Sequence, residues 1–284
     1  MLRGIHIQST APSSALRQDY HPSCLSVSSM VLSALLWRKN CGTIRLYTDS
    51  IFYDFLVSNG MTDLWDGGID TRTIDAIPPS INQNVFWAAA KLFALHDAPA
   101  PVAMVDGDLF FWRDISKDMN LDNITVLHKE DLWDCYVSRD SLGTPPDYQF
   151  DSRWDWTESP CNTAFAYFPH QAFKDAYTEE AILFMTDNRG KDAKPSSQMV
   201  FAEQRLLAMC AKRDNIPVNT LIDDPFDDKN DSFTHLWGAK ARANKNVKEM
   251  KHLISAILSK IKELNQDCYT MLIELYQKGI DSQK

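Results

Sequence analysis

Apolar and polar residues alternate from Gly4 to Gln8 with the two-residue period of a strand, whereas Cys24 to Arg38 places Leu25, Val31, Leu32, Leu35 and Leu36 at helical spacing. Between them, Ser9 to Pro22 is rich in Ser, Pro and His and reads as a loop, a common place for a nucleotide to lie after a first strand. Ile44 to Tyr47 is a second strand ending in Thr48-Asp49, and Ile51 to Ser58 a second helix stopped by Asn59-Gly60. Trp65 to Ser80, punctuated by Gly67-Gly68 and Pro78-Pro79, is loop-like, and Asn84 to His96 returns to helical spacing with Lys91 inside it. Further on, Ile124 to Leu127 and Ile216 to Ile222 read as strands, and Gln171 to Asp187 and Ser197 to Lys212 as helices; Lys129 to Phe150 has no period that assigns it. One long helix follows Asn246, with Val247, Met250, Ile254, Ile257, Ile261 and Leu264 on its apolar stripe. Strands alternating with helices predict an α/β fold, arranged as one domain over 1–242 and a helical tail over 243–284.

The stretch from Ala100 to Trp112 breaks the usual pattern, because one apolar run carries two carboxylates directly into another. Val102 to Val105 reads as a strand covered on both faces, and Leu109 to Trp112 is apolar and β-prone, so Asp106 and Asp108 sit at a strand end facing the interior. Isolated carboxylates there are costly to desolvate. Two aspartates flanking Gly107 offer hard oxygen ligands on one side of a tight turn, which suits a divalent cation bridging a diphosphate. The plainer reading makes one aspartate a turn cap and the other a salt-bridge partner. The walls formed by Met104, Val105, Leu109, Phe110 and Phe111 favour the cation.

Composition narrows the field. A chain of 284 residues, 44% hydrophobic and 24% charged, can bury one substantial core, and a net charge of −9 argues against nonspecific nucleic-acid binding. Six scattered cysteines without a C-x-x-C pair fit a reducing cytoplasm better than a disulfide framework or a zinc site. No run is long and apolar enough to span a bilayer. The acidic stretch Asp223 to Ser232 lacks the glycine and terminal glutamate of an EF-hand loop and reads as solvated. There is no G-x-S-x-G, P-loop, G-x-G-x-x-G or H-E-x-x-H motif.

With these elements in place the chain resembles nucleotide-sugar glycosyltransferases of the GT-A fold over most of residues 4 to 242. The opening strands up to Ile44-Arg-Leu-Tyr-Thr-Asp49 look like the nucleotide-binding half of that fold, and Phe86 to Leu95, with Lys91, resembles the basic helix preceding its D-x-D strand. Similar tryptophan-led helices and D-x-D-x-F-x-W segments occur in little-characterised bacterial glycosyltransferase-like proteins. The resemblance implies a mixed, mostly parallel central sheet with helices on both faces plus a C-terminal helix. It implies that Asp108 binds a metal, that Asp106 meets the metal or the donor ribose, and that Gln8, Ser9 and Asp49 lie at the nucleotide. Asn162 and Thr163 match a segment lining the sugar pocket, with Ala164 where glycine is usual, and Glu203 falls where an acidic residue faces the sugars. His235, Gly238 and Lys240 resemble an H-x-x-G-x-x-K segment in which the histidine completes the metal site and the lysine meets the diphosphate, although the lysine comes one residue early.

The implied activity is transfer of a sugar from a nucleoside diphosphate donor, of the uridine type, to a hydroxyl of a glycan, dependent on Mn2+ or Mg2+. Retention of configuration is favoured by His235 and Lys240; inversion would need a base such as Glu203 or an aspartate in the 150s. Catalytic roles fall to Glu203, Asn162 and Lys91, while a lysine simply exposed to solvent is the plainer reading of Lys91. A neutral imidazole at His235 implies activity that falls below about pH 6.5. Two other readings use the same residues: a nucleotidyltransferase or other phosphate-ester enzyme, and an inactive module holding carbohydrate on Trp154 and Trp156. For the C-terminal helix, intramolecular packing, homodimerisation and docking to an anionic membrane surface are all open.

Overall fold

The computed structural model describes residues 1–11, 22–190, 195–225, 230–243 and 245–281. Most of the predicted Ser9–Pro22 loop, and residues 226–229 of the acidic stretch, lie outside these. In chain order the elements are β1 (Leu2–Gln8), α1 (Cys24–Asn40), β2 (Gly42–Thr48), α2 (Ser50–Ser58), β3 (Ile69–Asp70), α3 (Arg72–Asp75), α4 (Ala89–Asp97), β4 (Val102–Val105), β5 (Leu109–Phe111), β6 (Ile124–Val126), β7 (Phe165–Phe168), α5 (Gln171–Met185), α6 (Pro195–Val200), α7 (Leu206–Arg213), β8 (Val218–Thr220), β9 (Phe233–His235), α8 (Trp237–Ala243), α9 (Val247–Leu264) and α10 (Gln266–Asp281).

Seven strands form one sheet in the order β3-β2-β1-β4-β7-β6-β8. β7 pairs antiparallel with both neighbours, and the other pairings are parallel, so the sheet is mixed and mostly parallel. Side-chain alternation along β4 divides the core: Val102 and Met104 join the cluster under α4, α5 and α7, while Ala103 and Val105 join the one under α1 and the C-terminal helices. Helices therefore cover both faces, as an α/β sheet buried on both sides requires.

Close packing of α1 on the sheet fixes one residue of β1. A Cβ at Gly4 would stand 2.6 Å from Cε2 of Trp37, which is fully buried and donates its Nε1 hydrogen to the Thr43 carbonyl at 2.9 Å. Gly4→Ala is expected to cost about 1–3 kcal/mol through this overpacking. A urea unfolding midpoint equal to that of the natural chain would contradict it.

The structure revises three expectations and gives one β-prone segment its place. The helix of Lys91 starts at Ala89 rather than Asn84, because Asn82 ends the preceding segment in a turn, its carbonyl accepting the Val85 and Phe86 amides at 2.9 Å. The predicted Ser197–Lys212 helix is interrupted by a π-turn over Phe201–Arg205. Residues 109–111 leave the main sheet and pair antiparallel with β9 in a separate two-stranded ribbon. The single C-terminal helix is two helices, broken at Asn265, whose extended backbone (φ −157, ψ 104) ends α9 and whose Oδ1 accepts the Cys268 amide.

The stripe on α9 is used inside the molecule: Ile257 and Ile261 are buried in the cluster containing α1, and Tyr276 of α10 donates its hydroxyl hydrogen to the Cys24 carbonyl at 2.7 Å. Among the described residues no helix is long and apolar enough to cross a membrane. All six cysteines are free thiols.

Candidate active site

Strand direction collects the polar residues. β1, β4, β6 and β8 run the same way, so their carboxyl ends, and the amino end of the opposed β7, share one edge of the sheet. The chain leaves β1 toward β2 on one side and later returns to β4 on the other, which opens a crevice at that edge between β1 and β4. Gln8 and Ser9 end β1 there, Asp106 to Asp108 end β4, His128 to Glu130 follow β6, and Asn162 and Thr163 enter β7.

After β4 the chain turns sharply, with the Leu109 amide on the Asp106 carbonyl at 3.0 Å and the Asp106 amide on the Ala164 carbonyl at 2.8 Å. Gly107 lies against α1, where an added Cβ would meet Met30 Cγ at 3.2 Å; close packing thus explains this glycine without any ligand. Ser33 of α1 supports the turn from below, its hydroxyl donating to the Leu109 carbonyl at 2.6 Å. His6 in β1 lies 3.0 Å from Ser33 Oγ through Nε2, and its Nδ1 accepts from Trp65 at 3.3 Å, so the Nε2 hydrogen faces the serine.

The ribbon brings in His235. β9 lies antiparallel to β5 with His235 opposite Leu109, and the Leu236 amide donates to the Asp108 carbonyl at 3.1 Å, so a residue far along the chain arrives beside the β4 turn. One oxygen each from Asp106 and Asp108 and one His235 nitrogen all lie within 4.8 Å of one another. His235 Nε2 stands 3.7 Å from Asp108 Oδ1, too long for a hydrogen bond. Lys240 pairs with the other Asp108 oxygen at 2.9 Å.

Lys91 is no surface lysine. Its ammonium donates to Asp106 Oδ1 at 2.6 Å and to Glu203 Oε1 at 2.9 Å, and Thr163 Oγ1 donates to the same Glu203 oxygen at 2.8 Å. Burial opposes its charge, yet Asp106 and Glu203 together hold its proton more tightly than in an ordinary lysine. Glu203 is only 4% exposed and serves as the counter-ion of Lys91.

The remaining predicted residues take supporting positions. Asp49 caps α2 by accepting the Phe52 amide at 2.9 Å and ties down the loop after β1 by accepting the Thr10 amide at 2.5 Å, so both its oxygens hold backbone. Asn162 accepts the Ala164 amide at 3.1 Å and donates to Glu130 at 2.8 Å. Among the described residues Gln8 and Ser9 make local side-chain contacts, Gln8 with the Ser9 carbonyl and Ser9 with the Ala11 amide. Trp154 is buried and Trp156 stacks on Phe201 with ring centroids 5.6 Å apart, so neither presents an open ring face for a sugar on the side it packs. His128 and Glu130, 3.8 Å apart, were not singled out from sequence; their signal is that they directly follow the β6 strand.

Burial sets the charge state of the centre. It pushes the His235 imidazole down to about 4, against the opposing pull of Asp108, so the ring is neutral at ordinary pH. Burial also raises Asp106 to about 6 despite Lys91. Asp108 stays below the usual carboxylate range because Lys240 and His235 outweigh its burial. For a divalent cation held by this cluster, the competing proton near neutrality would be that of Asp106, and its affinity would be expected to fall as pH drops below about 6.

The same shifts affect stability. His6, pushed down to about 3 by burial, and His235, down to about 4, both take up protons on unfolding as pH falls below 6.5. Asp106, raised to about 6, is protonated in the folded state first and offsets one of them. The unfolded chain gains about one net proton, so stability should fall by roughly 1 kcal/mol per pH unit between pH 6 and 4. Denaturant titrations at those pH values check this, and a stability that rises with acid over this range would contradict it.

Fold and site together define an α/β protein with a carboxylate and imidazole cluster in the crevice of a mostly parallel sheet. The chain belongs to the family described as a family of unknown function (DUF6734), whose model matches residues 14–279. Among solved structures it is similar to mouse xyloside xylosyltransferase 1 in its apo form, at 10% identity and a TM-score of 0.39 over 77% of this chain and 84% of that one. It is similar also to the PaToxG glycosyltransferase, at 11% identity and a TM-score of 0.39 over 95% of this chain and 84% of that one. No curated protein matches the chain.

Proposed function

We propose that this protein is a metal-dependent glycosyltransferase that moves a sugar from a nucleoside diphosphate donor, of the uridine type, to a hydroxyl of a glycan or glycoconjugate. The observation that carries the reading is the convergence of Asp106, Asp108 and a neutral His235 in the sheet crevice, with Lys91 and Lys240 beside them. Two carboxylates and an imidazole are a donor set that accepts manganese, which tolerates mixed oxygen and nitrogen ligands, or magnesium. A bound divalent cation supplies positive charge to the diphosphate leaving group.

The chain's own residues do the rest. Gln8 and Ser9, at the end of β1, border the crevice where a nucleotide lies in sheets of this kind. Lys240, partly exposed on Asp108, is the lysine set against the diphosphate charge. Lys91, locked by Glu203 and Thr163, fixes the Asp106 carboxylate in place. Asn162 holds Glu130 at the mouth.

Retention of configuration fits this arrangement better than inversion. A base for inversion must meet the acceptor hydroxyl, but Glu203 is buried against Lys91. The aspartates of the 150s are poor bases: Asp151 pairs with Arg153 and Arg213, Asp155 accepts from Thr157, and both are held below the ordinary carboxylate range by these bonds.

A screen of nucleotide sugars with manganese tests the proposal. Release of nucleoside diphosphate is the expected result. Pyrophosphate released from a nucleoside triphosphate and a sugar 1-phosphate would instead replace the reading with a nucleotidyltransferase, and intact donors throughout, with and without glycan acceptors, would overturn it.

A further inference from the structure

The π-turn at Phe201–Arg205 serves two places at once. Glu203 reaches Lys91 in the metal centre, and two residues on, Arg205 lines a separate cavity of about 540 Å3 together with Tyr136, Arg139 and Trp156. Turns of this type recur at functional sites because the extra residue re-aims its neighbours. The two places are joined through Gln204, whose Oε1 accepts the Tyr136 hydroxyl hydrogen at 2.6 Å.

Arg205 is 4% exposed and, among the described residues, is in no ion pair. Its guanidinium donates to the carbonyls of Val137 at 2.6 Å and Tyr136 at 3.4 Å and to that of Trp156, and it lies 5.0 Å over the Trp156 ring. These partners are neutral. They satisfy hydrogens but leave the positive charge without a counter-ion, and Nε is buried with no partner at all. Burial accordingly lowers the pKa of Arg205. An unpaired buried charge is expensive to maintain in a folded protein. Arg139, exposed at the same cavity, is likewise in no ion pair among the described residues and lies 5.5 Å over the Phe150 ring. Asp140 also lines the cavity, on its exposed side.

We propose that this cavity binds an oxyanion, a carboxylate or phosphate carried by the acceptor, between Arg139 and Arg205. Both groups match the planar donor fork that the exposed Arg139 offers, and either supplies the charge that Arg205 lacks. The acceptor is then an acidic sugar or a phosphorylated polyol, seated where Arg205 lies two residues along the chain from Glu203. Its acceptor role rests on the glycosyltransferase reading; the anion site does not. The competing explanation makes Arg205 a clamp that only fixes the segments at 136–137 and 156 to the helix.

Binding of D-glucuronate, inorganic phosphate and D-glucose to the full chain, without metal or donor, separates the two, read by chemical-shift changes at the Trp156 indole. Glucuronate or phosphate is expected to bind and glucose not, and which anion binds more tightly identifies the acceptor's charged group. Arg139→Gln, an exposed change with little effect on folding, should weaken anion binding about tenfold, as for one lost charge-assisted contact. Lys240→Ala should leave it unchanged, which excludes the metal centre as the binding place. Equal responses to glucose and glucuronate, no response at all, or undiminished anion binding in Arg139→Gln would overturn the proposal in favour of the clamp. A protein that binds glucuronate here but cleaves no nucleotide sugar keeps the anion site and loses the transferase reading; one that cleaves donors and ignores anions does the reverse.

Discussion

In Asp108→Asn, manganese affinity should fall by roughly a hundredfold or more while the protein stays folded. Changing a group that merely supports a metal ligand already costs about 10–100-fold, and Asp108 is a direct donor in the proposed site. Its Oδ1 faces His235 at 3.7 Å, and asparagine replaces one carboxylate oxygen by an amide nitrogen that cannot ligate. The fold should tolerate the change, because the side chains are nearly isosteric and the partner lost, Lys240, is partly exposed; the salt bridge contributes about 1 kcal/mol or less. Calorimetric titration of manganese, with and without uridine diphosphate, measures the effect. Equal affinities in the variant and the natural chain would remove Asp108 from the metal site.

The largest loss of stability is expected from Lys91→Met. A lysine on the surface would be replaced at almost no cost, but this ammonium sits between Asp106 and Glu203 at 2.6 and 2.9 Å. Its removal leaves two inward-facing carboxylates with no cation between them, at a cost of about 3–5 kcal/mol. Asp106, already raised by burial, would lose the lysine that lowers it, so its folded pKa rises further above the unfolded one. A raised carboxyl is protonated first in the folded state, so the variant should recover stability relative to the natural chain as pH falls from 7 toward 5. Lys91→Met/Glu203→Gln should restore much of the loss at pH 7, since one of the two stranded charges is gone. Urea unfolding of the single and double variants at pH 7 and 5 decides it. A single variant as stable as the natural chain at pH 7 would return Lys91 to the surface.

Local pattern carried the secondary structure where a face was buried. The β4 strand was legible as four apolar residues running into Asp106, and α1, α5 and the first two strands were legible from their periods, because burial on one or both faces constrains side chains residue by residue. The break at Asn265 was not legible: apolar spacing continues through it, and only the change to extended backbone, with its capping side chain, ends one helix and starts the next. The departure of β5 from the main sheet was hidden for a similar reason. Leu109 to Phe111 is equally apolar whether it extends the sheet or folds back on β9, and the partner strand is more than a hundred residues away.

The site divides along the same line. Sequence alone marked Asp106 and Asp108 as carboxylates that an apolar setting makes costly, and the family resemblance named Lys91, Glu203 and His235 as candidates. It could not say that Lys91 bonds both Asp106 and Glu203, that Glu203 is consumed as a counter-ion, or that Asp49 is an N-cap. Those facts depend on which strand ends share an edge and on the pairing of β5 with β9, which carries His235 to Asp108. Residue type and spacing determine what a side chain can donate, accept or ligate. Only the tertiary structure decides what it faces and how much water it loses, and those two quantities set its charge and its role.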